Sequence, residues 1–347
     1  QRHLDRCLTC RACESACPSG VRYGALVDIS RGIIEKQVKR STQAEVMRYT
    51  LRKVLPNTGL FTPLFKMGQA LRPLLPQALK NKMPSKPASA SVKAWPTAQH
   101  TRNMLVLDGC VQPAMAPNIN AASARVLDKL GISLIKADKA GCCGAVAYHL
   151  NAQEDGLNYM RRNIDAWWPW VEHEDIEAIV MTASGCGVTV KEYGHLLRHD
   201  AAYAEKAAKI SALTRDVSEI LHAELENIEQ LIRKQTPSPE KTKLSFHSPC
   251  TLQHGQQIRG IAEKILIAAG FDLTIVPDAY LCCGSAGTYS ILQPNLSQQL
   301  LKNKVTALES GQPEQIATAN IGCLTHLQGG TALQVKHWVE LLGERLG

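Results

Sequence analysis

Apolar and polar positions alternate along this chain in three different regimes. From Tyr23 to Leu55 apolar residues recur at helical spacing, with Leu26, Ile29, Ile33 and Ile34 on one stripe, which predicts helix. Residues 60–83 mix Leu, Phe and Met with Lys66, Arg72, Lys80 and Lys82, and Pro63, Pro73 and Pro76 should break any long helix there. That stretch reads as short helices packed on the protein or a partner subunit, or as an amphipathic surface for anionic lipid. Residues 84–99, opening Pro84-Ser85-Lys86-Pro87, are rich in Pro, Ser and Ala and predict an interdomain linker. Beyond the linker, short apolar runs alternate with helical stripes. Asn103–Asp108 predicts a strand, Pro117–Leu130 a helix closed by Gly131, Ile132–Ala137 a strand, Tyr148–Ile164 a helix and Ile176–Met181 a third strand. Residues 201–235 carry Ile210, Leu213, Val217, Leu221, Ile228 and Leu231 on one stripe and predict a long helical connector, ended by Thr236-Pro237-Ser238-Pro239. The order then recurs: strand Leu244–His247, helix Ile258–Ala269 closed by Gly270, strand Leu273–Val276, strand Gln315–Ala319. Strands alternating with helices argue for parallel α/β layers.

The cysteines mark the same recurrence. Gly141-Cys142-Cys143-Gly144 returns as Leu281-Cys282-Cys283-Gly284, 140 residues later. Cys110 stands 32 positions before Cys142, and Cys250 stands 32 before Cys282. Cys186 follows Cys143 by 43 positions, and Cys323 follows Cys283 by 40. Eight of the twelve cysteines thus belong to an internal repeat. Each cysteine group follows the carboxyl end of a predicted strand, where open parallel sheets place ligands. Neighbouring glycines (Gly109, Gly141, Gly144, Gly185, Gly187, Gly284, Gly322) let the backbone approach a bulky group.

The other four cysteines form a separate motif. Cys7, Cys10, Cys13 and Cys17 followed by Pro18 make C-x2-C-x2-C-x3-C-P, a bacterial ferredoxin run. Thiolates at that spacing can take corners of one [4Fe–4S] cube, and soft sulfur ligands suit iron in a sulfide cage. In two-cluster ferredoxins the fourth cysteine serves the other cluster. Cys7, Cys10 and Cys13 are therefore assigned to one cluster and Cys17 to a second, whose partner run would precede Gln1. Zinc is the alternative metal for any of these sites.

Composition narrows the setting. Clustered cysteines at metal-ligand spacing do not suit a secreted disulfide framework, so a reducing cytosol is expected. No apolar run reaches about 18 residues, so no transmembrane helix is predicted. The formal charge of +8 is uneven, because residues 1–100 hold 17 Lys+Arg against 5 Asp+Glu. A basic first third can meet anionic lipid or an acidic partner; no nucleic-acid motif accompanies it, and no nucleic-acid role is expected.

These motifs carry a resemblance. The paired Cys-Cys-Gly repeats resemble the cysteine-rich domain of the heterodisulfide reductase B-subunit superfamily. A ferredoxin run ahead of two such repeats resembles the iron–sulfur subunits of bacterial glycolate oxidase (glycolate dehydrogenase), above all at Asp5–Arg11, Ala140–Val146, Leu281–Tyr289 and Thr318–Cys323. The resemblance implies a small α-helical ferredoxin-type domain over residues 1–83, the linker at 84–99, and α/β cysteine-rich units at 100–235 and 236–347. It implies two ferredoxin-type [4Fe–4S] clusters in the full-length protein and one further centre per repeat, held by Cys110, Cys142, Cys143 and Cys186 and by Cys250, Cys282, Cys283 and Cys323. It also implies FAD on partner subunits that oxidise glycolate to glyoxylate, with electrons leaving toward a membrane quinone pool from a cytoplasmic protein peripheral to the inner face of the membrane. The chain lacks a G-x-G-x-x-G fingerprint, which agrees with a flavin held elsewhere. Two other readings stand beside this one: a thiol or heterodisulfide reductase acting at a repeat cluster, and a zinc-stabilised scaffold that docks the flavin subunits. The reductases carry a fifth cysteine where this chain has Thr189 and His326, which counts against the first.

Several histidines lie near the cysteines in sequence: His149, His247, His254 and His326. Most are expected to hydrogen-bond around a site rather than enter it, and His326, at the reductases' ligand position, is the favoured candidate for direct binding. Trp167, Trp168 and Trp170 predict core or interface packing.

Overall fold

The computed structural model describes residues 1–74, 94–173, 175–234 and 242–347. Two four-stranded parallel sheets dominate it. The first runs β2-β1-β3-β4, from β1 (Arg102–Val106), β2 (Ile132–Lys136), β3 (Ala178–Met181) and β4 (Thr214–Asp216). The second runs β6-β5-β7-β8, from β5 (Lys243–His247), β6 (Asp272–Leu273), β7 (Gln315–Thr318) and β8 (Gln334–His337). Order and direction are the same in both, so the sequence repeat is a structural repeat. In each, the chain steps outward from the first strand and then crosses back to its other side. The gap between β1 and β3, and between β5 and β7, is therefore a topological switch point, where such sheets place ligands.

One core joins the repeats. Met104, Val106, Ile119 and Leu127 of the first are buried together with Leu244, Phe246, Leu266 and Trp338 of the second. The outer faces close separately: Leu105, Met160, Trp167 and Ile179 under helix Gln153–Glu172, and Leu301, Leu308, Ile316 and Leu327 under helix Pro294–Glu309. Trp167 is fully buried, Trp168 is partly buried with the Lys206 Nζ 5.0 Å from its ring centre, and Trp170 is exposed. The expected core role therefore belongs to the first of the three.

Several expected elements differ. The stripe from Tyr23 to Leu55 is two helices, Tyr23–Gln37 and Thr42–Val54, the second capped by the Ser41 hydroxyl accepting from the Ala44 N–H at 3.4 Å. The first helix turns Leu26, Ile29 and Ile33 to solvent and buries Gly24 and Asp28 instead. Specific bonds decide this: Gly24 N–H donates to Glu14 Oε1, and Asp28 Oδ1 meets His149 Nδ1 at 3.0 Å. Pro63 lies inside helix Thr58–Leu71 rather than breaking it, at the cost of the backbone bond its ring removes. Residues 94–99 of the expected linker are irregular; its earlier part and Thr236–Pro239 lie outside the described residues. The expected 201–235 connector is helix Ala204–Leu213, strand β4, and helices Val217–Ala223 and Leu225–Arg233. Three residues are too few to show a two-residue period, and Ile210, Leu213, Val217 and Leu221 keep helical spacing across them. The expected helix Tyr148–Ile164 is likewise split, into Ala145–His149 and Gln153–Glu172.

The last strand of each sheet feeds a capped helix. Asp216 caps Val217–Ala223 in a capping box with Glu219, and His337 caps Trp338–Leu346 in one with Glu340. His337 Nδ1 accepts from the Val339 N–H at 3.4 Å, while Nε2 meets the Thr182 carbonyl of the other repeat at 2.9 Å. Accepting at Nδ1 requires the neutral ring, whereas Nε2–H can donate in either state. Burial lowers its pKa from 6.5 to about 4. Its unfolded form therefore takes up a proton before the folded form does, and stability falls as pH drops through 6.5 toward 4, at about 1.4 kcal/mol per pH unit. His337→Asn keeps a capping oxygen and cannot titrate. In paired urea titrations from pH 7 to pH 4.5, the variant is expected to lose stability less steeply than the native chain by that increment; parallel curves would show that His337 carries none of the pH dependence.

Candidate metal centres

Short loops after the strands, or the first turns of the helices that follow, carry the repeat cysteines; Cys186 lies in helix Ser184–Lys191 and Cys323 in helix Ile321–Gln328. β1 ends at Val106 and leads to Cys110, β2 ends at Lys136 and leads to Cys142-Cys143, and β3 ends at Met181 and leads to Cys186. β5, β6 and β7 do the same for Cys250, Cys282-Cys283 and Cys323. All twelve cysteines are free of disulfides. Cys142, Cys143, Cys250, Cys282, Cys283 and Cys323 are buried, and Cys110 and Cys186 are half-buried.

In the first quartet the thiols act on one another's protonation in series, Cys110 with Cys142, Cys142 with Cys143 and Cys143 with Cys186. The second repeats the series from Cys250 through Cys282 and Cys283 to Cys323, with the Cys250 and Cys282 sulfurs 3.8 Å apart. Four thiolates this close repel one another. Neighbouring S–H donors pull Cys143 and Cys282 down, while loss of a shared proton and burial push Cys142, Cys186, Cys250 and Cys283 up. Backbone and amide N–H groups also point at sulfur: Gly144 at Cys142 (3.5 Å), Gly284 at Cys282 (3.4 Å) and Asn320 Nδ2 at Cys323 (3.5 Å). Gly144 and Gly284 have φ of +91° and +89°, and a Cβ on either would lie 2.6 Å from a helix carbonyl, Gly156 O or Ser297 O. The bends that turn the Cys-Cys pairs inward thus need glycine twice over.

The N-terminal run is wound tightly and packed on both repeats. Thr9 and Arg11 adopt left-handed backbone, at φ 54° and 60°. The Arg31 guanidinium holds the loop, donating to the carbonyls of Leu4 (2.8 Å) and Cys7 (2.8 Å) and to Thr9 Oγ1 (3.2 Å). Burial pushes the Cys10 thiol up, and the charges of Cys282, Cys7 and Cys13 add to that. Cys17 is set apart, its thiol pulled down by the N–H groups of Val21 and Ser19. Arg11 forms a two-pronged ion pair with Glu192 of the first repeat, at 2.6 and 2.7 Å. Ser15 Oγ meets His254 Nδ1 at 3.0 Å, His254 Nε2 meets the Tyr280 carbonyl at 2.9 Å, and the Tyr289 hydroxyl donates to Arg6 O at 3.2 Å. The ferredoxin-like run therefore sits directly against the loop that carries Cys282.

The histidines sort by their partners. His149 is taken by Asp28, and both nitrogens of His254 are engaged. His326, the sequence favourite, points Nε2 at Ser297 Oγ (3.2 Å), a hydroxyl that also donates to Gly284 O. Thr189 donates to Gly185 O of its own helix. His247 is the ring beside the sulfurs: one of its nitrogens and the Cys283 and Cys323 sulfurs lie within 4.8 Å of one another. Its Nδ1 meets Thr318 Oγ1 at 2.9 Å, Nε2 has no hydrogen-bond partner, and burial, then the Lys304 charge, lowers its pKa to about 3. Sequence reasoning also passed over Asn163, Tyr193 and Lys304. Asn163 accepts from the Gly141 N–H and donates to Cys142 O (both 2.9 Å), Tyr193 donates to Cys143 O (2.9 Å), and buried Lys304 donates to Asp278 O (2.8 Å). Only their distance from the cysteines along the chain hid them. Quartets of buried and half-buried, mutually repelling thiols with N–H donors on sulfur are what a metal–sulfur centre requires, and the donor sets fit such a group.

Comparison with known proteins agrees with this chemistry. A family model described as a cysteine-rich domain matches residues 104–191 and 244–328, one copy on each sheet. The chain is 53% identical, over 346 residues, to the glycolate oxidase iron–sulfur subunit of Escherichia coli K12, covering 100% of this chain and 83% of that protein. It is 30% identical to the probable glycolate oxidase iron–sulfur subunit of Bacillus subtilis 168, with the same coverage. Lactate utilization protein A of B. subtilis 168 is 26% identical over 242 residues, 68% of this chain and 97% of that protein.

Two glycines of like backbone but unlike surroundings allow a test. Gly270 has a φ of +86° but open space where a Cβ would stand, so Gly270→Ala should cost only about 1–2 kcal/mol of backbone strain. Gly284→Ala adds the clash with Ser297 O and should cost at least about 2 kcal/mol more. Equal denaturation midpoints for the two variants would contradict close packing of Gly284 on the covering helix.

Proposed function

The chain belongs to the family of glycolate oxidase iron–sulfur subunits, and from that premise we propose that it carries electrons away from a flavin-dependent 2-hydroxy-acid dehydrogenase. The substrate is glycolate, oxidised to glyoxylate on FAD-binding partner subunits. Cys7, Cys10 and Cys13 hold one [4Fe–4S] cluster, Cys17 contributes to a second, and each repeat quartet holds a further one. Residues 1–83 form the ferredoxin-type domain, 84–99 the linker, and 100–235 and 236–347 the two cysteine-rich domains. The observation that carries the reading is the union of a ferredoxin run and two thiol quartets in one packed body, with His254 bonding both Ser15 of the run and the Tyr280 carbonyl beside Cys282. That link through His254 supports transfer between the run and the second repeat.

A quinone pool at the inner face of the cytoplasmic membrane is the proposed acceptor. Among the described residues no helix is long and apolar enough to cross a membrane. Support for a peripheral position comes from the basic first hundred residues and from Leu60, Leu64, Met67 and Leu71, exposed along helix Thr58–Leu71.

Anaerobic addition of glycolate to the complete complex should bleach the iron–sulfur absorbance. Cys10→Ser should leave flavin reduction intact and cut electron delivery to an external acceptor by more than tenfold (~10-fold being 1.4 kcal/mol of barrier). Iron–sulfur absorbance that glycolate leaves untouched, in a complex whose flavin it reduces, would refute the proposal.

A further inference from the structure

The two repeats share a frame but differ beneath their sulfurs. His247 closes β5 three residues before Cys250, and Leu107 stands three residues before Cys110. His247 pairs across the sheet with Thr318, five residues before Cys323. In the first sheet Val106 pairs with Val180, which sets Leu107 opposite Met181, five residues before Cys186. A Leu–Met pair in one repeat is thus a hydrogen-bonded His–Thr pair in the other. A second exchange lies on the covering helices. Gly144 abuts Gly156 and Gly284 abuts Ser297, which makes Asn163, seven residues past Gly156, the counterpart of Lys304, seven past Ser297. Asn163 is neutral and braces the Cys142 loop; Lys304 brings a charge, anchored to the Asp278 carbonyl and felt by Cys283, Cys282 and Cys250.

Both exchanges act in one direction. Leu107 offers the first repeat no polar group there, whereas an imidazole N–H beside cluster sulfur stabilises negative charge on it and so favours the reduced state. A buried ammonium favours the more negative, reduced state of its neighbour. His247 Nε2 is a buried polar atom without a partner, next to Cys283 and Cys323, which is the position such a contact needs. We propose that the two repeats are electronically unequal: His247, through Nε2, and Lys304, through its charge, set the potential of the second-repeat centre above that of the first. The second repeat, whose Cys282 loop lies beside the ferredoxin-like run, is then the better electron trap of the two, and the first repeat, with Leu107 and Asn163 in those places, the lower-potential site. This rests on the reading that each quartet holds an iron–sulfur cluster.

The experiment is an EPR-monitored redox titration of the full anaerobic complex, with the second-repeat signal identified as the one lost, together with its iron, in Cys283→Ser. His247→Leu and Lys304→Asn should each lower the midpoint of that signal alone, and pulsed EPR should show a nitrogen coupling on it that His247→Leu removes. The double variant His247→Leu, Thr318→Met rebuilds the pair of the first repeat and replaces His247→Leu if the single change does not fold; the remaining signals report folding. A midpoint unmoved by either variant overturns that residue's role, and one unmoved by both overturns the proposal. If Cys283→Ser loses no iron, the second repeat holds no cluster, and this proposal falls together with the cluster reading beneath it.

Discussion

Mutual repulsion among sulfurs is the constraint on which this structure depends. Segments at the carboxyl edge of a parallel sheet gather four cysteines, and the fold does so twice. Bare thiolates at such spacing oppose folding, and protonated ones gain little from one another. A cation or cluster turns the same arrangement into a source of stability. Much else follows from keeping the loops in place. Gly144 and Gly284 permit the turn, Asn163 and Tyr193 tie down the carbonyls behind Cys142 and Cys143, and a shared core holds the two sheets as one body.

The N-terminal run is part of that body. Arg11 reaches the first repeat at Glu192, and Ser15 and Arg6 reach the second through His254 and Tyr289. These charge-assisted and part-buried bonds hold the run against both repeats, which fixes the separation of the cysteine groups. The His254 ring links Ser15, in the run, to the Tyr280 carbonyl, two residues before Cys282.

The sequence made the chemistry legible more fully than the shape. Cysteine spacing announced the repeats, the run and the positions after strands, because metal ligands must recur where the backbone recurs. The edge strands β4 and β8 were hidden, being three and four residues long with no period to read. Leu26, Ile29 and Ile33 showed a helix correctly but not its orientation, which Glu14 and His149 decide from elsewhere in the chain. The placement of His247 was hidden for a similar reason. Alignment with a ligand position favoured His326, whereas strand pleat and the Thr318 hydroxyl bring His247 beside the sulfurs. Glu192, Asn163 and Lys304 became visible only once helices lay over loops.

The most direct test of clusters in the repeats is the iron and acid-labile sulfide content of the anaerobically purified full-length protein, compared with variants in which one quartet at a time is changed to serine. Replacing Cys142 and Cys143, or Cys282 and Cys283, should remove about four iron each and leave the rest in place. Unchanged iron in both variants, or zinc in place of iron, would contradict the claim that the two quartets are built to hold clusters on an electron path.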